Sequence, residues 1–326
     1  MPLIETTGAA SARGFGLFGY ANPDGTKGIF ALGNTGCIVT TRNKYTYATD
    51  SSTASGVGAA SAASRLGSAA GNSTRGIFAL GCAGAGAVTT RNKYTYACCS
   101  STASGVGAAS AARHSGYAAG NATRGIFALG QDDGNTRYNT RNKYTYATCT
   151  STACGVAVAS SASSQGTAAG NSTRGIFALA STPTVVATRN KYTYASDTST
   201  TCGVASASVA SSFQSAAGNS TRGIFALGTS ASSGQAVSTR NKYTYACDTN
   251  TASGVASAST CSHRGAATGN STRGIFALGQ NISCTRLDTR NKYTYTTCTS
   301  TACGVGVAST ASSRGSAVSW AVCVNT

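Results

Sequence analysis

The hexapeptide Arg-Asn-Lys-Tyr-Thr-Tyr occurs six times along the 326-residue chain, and this repetition limits the possible folds more than any other feature. Successive copies begin 49, 50, 48, 51 and 50 residues apart. A catalytic motif is needed once, whereas a module that buries its surface against copies of itself is needed many times. The spacing therefore predicts a repeat protein with units of about 50 residues.

The composition is poor in charge, because only 10% of the residues are charged, against roughly 25% in a typical soluble domain. Glycine is abundant, with 40 copies, and disordered low-complexity chains share this bias. Disorder is rejected because the apolar run Gly-Ile-Phe-Ala-Leu stands at the same place in all six repeats. The repeat therefore encodes an ordered unit with a buried apolar segment.

One repeat, residues 66–114, divides into four predicted strands. The first is Gly-Ser-Ala-Ala at 67–70, followed by the turn formers Gly-Asn-Ser-Thr. The second is the glycine-bounded apolar run at 75–81, and a loop of variable sequence follows it. The third is the Thr- and Tyr-rich segment at 89–97. After a polar Cys-Cys-Ser-Ser-Thr turn, the small residues at 105–112 form the fourth predicted strand.

Four strands in each repeat are typical of an all-β fold, the β-propeller, whose blades are four-stranded sheets. A single blade cannot bury both of its faces, but neighbours in a ring can cover them. We predict a single domain over residues 1–326 with six blades. The predicted repeats span residues 14–64, 65–113, 114–163, 164–212, 213–263 and 264–326.

A seven-bladed ring is the alternative, because the strand before Gly-Ile-Phe-Ala-Leu has seven versions. Two of these versions are terminal, at 14–21 and 315–324, and residues 6–14 resemble the end of a repeat. With six blades, the surplus terminal strands would close the ring or pair with a neighbouring subunit. With seven, the two ends together would build the last blade.

The aromatic residues of the repeat are predicted to fill the space between blades. In the third strand, period two places the asparagine and both tyrosines on one side. Small Gly, Ala and Ser side chains would let the strands crowd near the axis. The predicted core positions between blades are Phe30, Tyr45, Tyr47, Phe78, Tyr94, Tyr96, Phe127, Tyr144 and Tyr146.

The arginine and lysine of the motif fall on the other side of the third strand. There they would face solvent or the carbonyl groups of the next blade. They are the candidate binding residues: Arg42, Lys44, Arg91, Lys93, Arg141, Lys143, Arg189, Lys191, Arg240, Lys242, Arg290 and Lys292.

The formal charge of +17 favours polyanionic partners such as nucleic acid, acidic glycans or an anionic cell surface. The six motifs contain 12 of the 25 Lys and Arg residues, so much of this charge belongs to the repeat itself. Interleaved aromatic and cationic residues suit single-stranded nucleic acid. Burial of the tyrosines disfavours that partner, and we do not expect nucleic acid to be bound.

No secretory leader and no run of 18 apolar residues is visible in the sequence. We therefore expect synthesis in the cytoplasm without export, and no insertion into a membrane.

The repeat resembles a kelch repeat, in which an apolar strand ending in glycine follows a small-residue strand. Residues 65–81 resemble its first part, and Lys-Tyr-Thr-Tyr-Ala-Thr-Asp at 44–50 resembles its Tyr-Asp segment. A single glycine replaces the usual pair, and the characteristic tryptophan is missing from the internal copies. The resemblance implies a propeller built from four-stranded blades.

The near-identical Gly-Ile-Phe-Ala-Leu and Thr-Arg-Asn-Lys-Tyr-Thr-Tyr segments are also similar to propeller-like repeats of uncharacterised bacterial and bacteriophage proteins, including tail-associated ones. This resemblance implies a binding or structural role outside the cell or on a virus particle. It implies no reaction.

No catalytic group, cofactor or metal is expected. The two histidines, His114 and His263, lie in equivalent loops about three repeats apart and are predicted to be solvated. Three aspartates, Asp50, Asp197 and Asp248, share one repeat position that holds cysteine in the other repeats. A position that alternates between Asp and Cys suits a turn or a crosslink better than a catalytic carboxylate pair.

The 13 cysteines stand at turns and loops, and their positions vary between repeats. Cys149 and Cys154 flank one predicted turn, and Cys298 and Cys303 repeat this arrangement. Either pair would form a disulfide if its Cα atoms came within about 4.4–6.8 Å; free thiols are the equal alternative. Disulfides without export indicate oxidation after release from a cell, which virion proteins undergo.

The first hypothesis is a non-enzymatic structural or receptor-binding propeller of a virus particle, in a phage tail, fibre or collar or on a capsid. Its partners would be other virion proteins or copies of itself. The alternative is a lectin-like propeller or cell-surface adhesin, in which repeated Tyr and Asn residues bind a cell-surface glycan.

Overall fold

The computed structural model describes residues 24–84 and 86–321. All regular secondary structure in these residues is β-strand, so the all-β prediction is confirmed. They contain no helix, and therefore no helix that could cross a membrane. The predicted terminal segments at 6–14 and 14–21, and residues 322–324, lie outside the described residues.

The described strands form six four-stranded antiparallel sheets and three smaller ones. We call each four-stranded sheet with its loops a unit, and number the units 1 to 6 in the order of their Arg-Asn-Lys motifs. Within a unit, the first strand lies at one edge of the sheet and the fourth at the other.

The second and third strands form the most regular hairpin of each unit, as in unit 2, where Ile77 pairs with Lys93. Apolar and aromatic residues suit this pleated, buried surface.

Neighbouring side chains approach the second strand so closely that one position requires glycine. A Cβ on Gly76 would lie 2.5 Å from Val318 and 3.0 Å from the Tyr96 hydroxyl. The second strands are β1 (Asp24–Ala31), β6 (Arg75–Ala79), β12 (Arg124–Ala128), β16 (Arg174–Ala178), β21 (Arg222–Ala226) and β27 (Arg273–Ala277). The third strands are β2 (Arg42–Thr46), β9 (Arg91–Thr95), β13 (Arg141–Thr145), β17 (Arg189–Thr193), β23 (Arg240–Thr244) and β29 (Arg290–Thr294).

The first strands consist mostly of small residues and bring the units together. They are β5 (Ser68–Gly71), β11 (Tyr117–Gly120), β15 (Thr167–Gly170), β20 (Ser215–Gly218), β26 (Ala266–Gly269) and β31 (Ser316–Ala321). The last of them, β31, pairs with β1, with Val318 opposite Ile29, so unit 1 combines both ends of the described chain. Each first strand also packs against the first strands of two other units, and β31 contacts both β26 and β5.

The position of the fourth strand differs from the sequence prediction, which was wrong here. It is the Ser/Thr segment directly after the turn, whereas the predicted fourth strand, 105–112 in unit 2, is irregular. In that segment the amide of Gly107 donates to Cys149 O of unit 3, but the amide of Ala109 donates to Thr89 O of unit 2. A segment divided between two units cannot form a ladder with either. The fourth strands are β3 (Ser51–Thr53), β10 (Ser100–Thr102), β14 (Thr150–Thr152), β18 (Thr198–Thr200), β24 (Thr249–Thr251) and β30 (Thr299–Thr301).

Short strands fasten the variable loop of a unit to the segment that precedes its first strand. In unit 6, for example, His263 pairs with Gln280. These strands are β4 (Ser64–Arg65), β7 (Cys82–Ala83), β8 (Gly86–Ala87), β19 (Ser211–Ser212), β22 (Thr229–Ser230), β25 (Ser262–His263) and β28 (Gln280–Asn281). The variable loops therefore lie on the same face as the entries to the first strands.

The hydrophobic core lies between units. Phe127, Tyr144 and Tyr146 of unit 3 pack against Ala70 and Ile77 of unit 2. Equivalent clusters occupy the other five boundaries. The nine aromatic residues proposed from the sequence are each at most 2% exposed. Because full burial of such a side chain stabilises a fold by about 1.5–3 kcal/mol, these boundaries hold the units together.

Candidate functional site

The six arginines among the predicted binding residues are buried at the boundaries between units, where they are at most 1% exposed. Arg91 is representative. Its Nη2 donates to Asn142 Oδ1 at 3.2 Å and its Nη1 donates to Ser151 Oγ at 2.5 Å, both in unit 3. The guanidinium also lies 4.5 Å from the ring centroid of Phe127. Burial lowers the pKa of Arg91 to about 10, so the group keeps its charge at neutral pH.

The arginine–asparagine contact occurs at all six boundaries, and the pair between units 6 and 1 completes a cycle. Each guanidinium also donates to carbonyls of its own unit, for example Arg91 to Gly107 O and Ala108 O. These buried arginines therefore have structural partners and no surface for a ligand. The pairs are Arg42–Asn92, Arg91–Asn142, Arg141–Asn190, Arg189–Asn241, Arg240–Asn291 and Arg290–Asn43.

The six lysines of the motif are partly exposed and form two groups. One group forms ion pairs with the next unit, as Lys143 does with Asp197 at 2.5 Å; Lys191 and Lys292 pair likewise with Asp248 and Asp50. The other group, Lys44, Lys93 and Lys242, forms no ion pair with any described residue. The twelve predicted cations are thus distributed over six boundaries and do not form one site.

The twelve cysteines among the described residues are free thiols, so the predicted disulfides Cys149–Cys154 and Cys298–Cys303 do not form in the structure. Cys149 lies in the turn after the third strand, where its Sγ donates to Tyr146 O at 3.8 Å. Cys154 lies beyond the fourth strand and is exposed. The sequence prediction took the intervening residues for a turn, but three extended residues alone span about 10 Å.

The histidines are partly buried, so the prediction that they are solvated was wrong. The side chain of His114 is 12% exposed, and its Nε2 lies 3.9 Å from Asp133. The ring of His263 packs against Phe213, with 6.1 Å between the centroids. Within residues 24–84 and 86–321, no three His, Cys, Asp or Glu side chains are grouped to hold a metal ion.

A cavity of about 200 Å³ lies between the six first strands. Most of its lining is glycine, alanine, serine and threonine, and no charged residue of the described chain lines it. The wall of this channel therefore offers little for specific recognition, and its end on the face of the variable loops is chemically richer.

At that end, the residue two positions before each first strand has a left-handed backbone, with φ between 55° and 63°. Non-glycine residues rarely adopt this conformation. The amide of each residue donates to the carbonyl of its equivalent in a neighbouring unit, at 2.8–3.1 Å, and these six bonds form a closed ring. We call these residues the mouth, and they surround a cavity of about 70 Å³: Leu66, Ser115, Gln165, Phe213, Arg264 and Arg314.

Four arginines cluster on one side of the mouth. Arg264 and Arg314 belong to it, and Arg65 and Arg286 lie near enough to act electrostatically on Arg314. Burial, followed by repulsion from these three guanidinium groups, lowers the pKa of Arg314. No described carboxylate lies within ion-pair distance of the four arginines. The cluster therefore carries a concentrated and uncompensated positive charge.

The pKa of His263 is affected by the same arginines. Burial, followed by repulsion from Arg264 and Arg314, lowers the pKa of His263 to about 4. Arg264 is held in place because its Nη1 donates to Gln280 Oε1 at 3.0 Å and its guanidinium stacks on Phe213 at 4.4 Å. The repulsive part of this shift, from Arg264 and Arg314, is the part that would favour an anion.

Sequence reasoning missed the mouth. A signal was present: removing the twelve motif cations and the six cations of the second strands leaves seven arginines from the total of 25. Four of those seven form the cluster at the mouth. The remaining three are Arg13, Arg113 and Arg137.

Compared with known protein families and with curated proteins, the sequence matches none of them at a significant level.

Proposed function

We propose that the chain is a closed six-bladed β-propeller in which each unit is one blade. Three features support this reading: β31 pairs with β1, the arginine–asparagine contacts run through all six boundaries, and the mouth is a closed ring of backbone hydrogen bonds. In such a ring, the two neighbours of each blade cover its two faces, and only short edges stay open.

We further propose that this propeller is a non-enzymatic binding module whose mouth binds an anionic group of an acidic saccharide. The observation that carries this proposal is the cluster of Arg65, Arg264, Arg286 and Arg314 around one opening without a carboxylate among them. Guanidinium groups bind carboxylate and sulfate through paired, charge-assisted hydrogen bonds. An anion would also relieve the mutual repulsion of the arginines.

The shape of the mouth favours a single anionic group over a polymer strand. Its cavity of about 70 Å³ has room for one carboxylate or sulfate. The aromatic ring at the mouth, Phe213, has one face covered by Arg264, which disfavours stacking on a nucleic-acid base. The repeated tyrosines are also buried, which removes the other stacking surface.

The test is calorimetric titration of the full chain with a short uronic-acid oligosaccharide, with the uncharged sugar as ligand control. We expect the double variant Arg264→Gln/Arg314→Gln to lose at least tenfold in affinity, or about 1.4 kcal/mol. Arg113→Gln/Arg137→Gln is the matched control, because it removes the same charge from partly buried positions near the loops of unit 3. It should change the affinity by less than twofold.

Equal losses in the two double variants would show that binding follows net charge and would contradict a site at the mouth. Tighter binding of single-stranded DNA than of the saccharide, with a steep dependence on salt, would favour nucleic acid instead.

We also propose that the propeller is carried on a virus particle, where the saccharide would belong to a host surface. The support is the resemblance of the repeats to those of phage proteins. Mass spectrometry of purified particles from a source that encodes the chain would test this setting. Detection in the cell lysate but never in the particles would contradict it.

A further inference from the structure

One position of the repeat holds aspartate in three units and cysteine in the other three. It lies in the turn after the third strand, and its backbone is left-handed in all six units, with φ between 50° and 58°. Asp and Asn tolerate this conformation better than most residues. Backbone geometry therefore does not explain the cysteines. The six residues are Asp50, Cys99, Cys149, Asp197, Asp248 and Cys298.

Where the residue is aspartate, three donors surround its carboxylate. Asp197 Oδ1 accepts from the Tyr192 hydroxyl at 2.8 Å and from Arg124 Nη1 at 3.2 Å, and Oδ2 accepts from Lys143 Nζ at 2.5 Å. Arg124 and Lys143 belong to the preceding unit, so the carboxylate joins two units. Asp248 and Asp50 have the equivalent arginine, lysine and tyrosine partners.

Where the residue is cysteine, the same donors remain without the carboxylate. Arg75 Nη1 lies 3.5 Å from Cys149 Sγ, and the equivalent Lys93 forms no ion pair with any described residue. The hydroxyl of Tyr144 is turned toward the sulfur, and this side chain is 0% exposed. It makes no hydrogen bond of good geometry in the described chain. One guanidinium and one buried hydroxyl thus converge on the thiol, and the lysine at the position that pairs with aspartate in other units has no anion among the described residues.

The same arrangement recurs at Cys298, whose Sγ lies 3.9 Å from Arg222 Nη1 and faces the buried Tyr293. Cys99 differs, because the unit that precedes it carries Lys27 in place of the arginine. All three cysteines are partly exposed, so a small oxidant can reach them.

We propose that Cys149 and Cys298, and more weakly Cys99, are oxidation sites at which hydrogen peroxide converts the thiol to a sulfinate that replaces the missing carboxylate. A sulfinate carries one negative charge on two oxygens, attached where the aspartate carries its carboxylate. It would therefore accept hydrogen bonds from its own arginine, lysine and tyrosine neighbours, as the carboxylate of Asp197 does in its unit. Oxidation would strengthen the boundary between units instead of damaging it.

The chemistry consists of two two-electron oxidations of the sulfur. First, the thiolate attacks hydrogen peroxide: an S–O bond forms, the O–O bond breaks, and hydroxide leaves and takes up a proton to become water. The resulting sulfenate then attacks a second peroxide, which gives a second S–O bond and another hydroxide. The product is the sulfinate, and each peroxide is reduced to water.

The first test needs no oxidant. Cys149→Asp supplies the carboxylate directly, and Cys149→Asn supplies the same shape without the charge. We expect the Asp variant to raise the thermal midpoint by about 2 °C relative to the Asn variant at pH 7. A midpoint equal to or below that of the Asn variant would contradict a site that accepts an anion.

The second test uses a variant in which the exposed cysteines and Cys323 are replaced by serine. After treatment with hydrogen peroxide, peptide mass spectrometry should find two added oxygen atoms on Cys149 and Cys298. The thermal midpoint should rise by about 2 °C per oxidised site, and less for Cys99. Unmodified cysteines, or a lower midpoint after sulfinate formation, would overturn the proposal. The exposed cysteines replaced are Cys37, Cys98, Cys154, Cys202, Cys247, Cys261, Cys284 and Cys303.

Discussion

Two sets of arginines in this molecule have opposite surroundings. The boundary arginines, such as Arg141, are completely buried and donate to side chains of the next unit and to carbonyls of their own. The mouth arginines, such as Arg314, are only partly buried and have other arginines as their charged neighbours. The side chain is the same, but every member of the first set is surrounded by dipoles and ring faces. In the second set, among the described contacts, only Arg264 has such partners, Gln280 and Phe213.

This difference shows why net charge is a poor guide to the binding surface of a repeat protein. A buried guanidinium whose Nη atoms donate within the protein contributes to the charge of +17 but has no surface for a ligand. A cluster without a carboxylate within ion-pair distance gains free energy when it binds an anion. Whether a cation can bind a ligand therefore depends on the contacts it already makes, and not on how many cations the sequence contains.

The largest effect is expected from removing a boundary arginine. Arg141→Met keeps the apolar bulk but removes the guanidinium that donates to Asn190 Oδ1, Ser199 Oγ and two carbonyls. Each buried acceptor that loses its hydrogen bond costs about 1–3 kcal/mol of unfolding free energy, and equilibrium denaturation in urea would measure the summed loss. Arg141→Lys should also destabilise strongly, because an ammonium cannot reach partners arranged for a planar fork.

Arg314→Met is the matched substitution at the mouth. It removes a group whose charged neighbours repel it, so we expect the free energy of unfolding to change by less than about 0.5 kcal/mol, or to increase. If both substitutions cost the same amount, the distinction between the two sets of arginines would be wrong.

An intermediate effect is expected from the aspartates that pair with boundary cations. Burial alone would raise the pKa of Asp197, but hydrogen bonds from Lys143 and Tyr192 and the charges of Lys143 and Arg124 outweigh it and lower the pKa below 3.8. The unfolded chain therefore binds the proton first as the pH falls. The stabilisation is complete above the unfolded value and is lost as the pH falls through the folded value.

Asp197→Asn should remove about 1 kcal/mol at pH 7 and have no further cost well below pH 3.8, where the carboxylate of the parent protein is protonated. Denaturant unfolding of both proteins over this pH range would measure the convergence. A constant difference at every pH would show that the loss is steric and not electrostatic.

The repeat, the second and third strands and the buried aromatics could be predicted because each leaves a local pattern. The burial of Arg91 could not be predicted. Alternation places it on the side of the strand opposite Tyr94, but it does not show that a neighbouring unit covers that side too. The fourth strand was missed because three Ser/Thr residues directly after a turn are also typical of a turn that continues. Its pairing with the third strand depends on the hairpin that forms there.

The mouth could not be predicted from the sequence for a different reason. Its six residues share a backbone conformation and a hydrogen-bond ring but no side-chain type, from Leu66 to Arg314. Arg264 and Arg314 are about 50 positions apart in sequence and become neighbours only when the units are arranged around the channel. Sequence spacing alone cannot show that Arg65, near the start of the chain, joins them through the pairing of β31 with β1.

The smallest effect is expected when one charge near His263 is removed, and the pKa of this histidine serves as a probe of the positive field at the mouth. Its folded pKa of about 4 lies below its ordinary 6.5, because of burial first and Arg264 and Arg314 second. The unfolded chain therefore binds more protons between these values, and stability should decline as the pH falls from 6.5 to 4. An NMR titration of the ring should find it neutral down to about pH 4. Arg314→Gln should raise the pKa of His263, as should a bound anion, whereas Arg137→Gln should leave it unchanged. An ordinary pKa in the parent protein would contradict a positive field at the mouth.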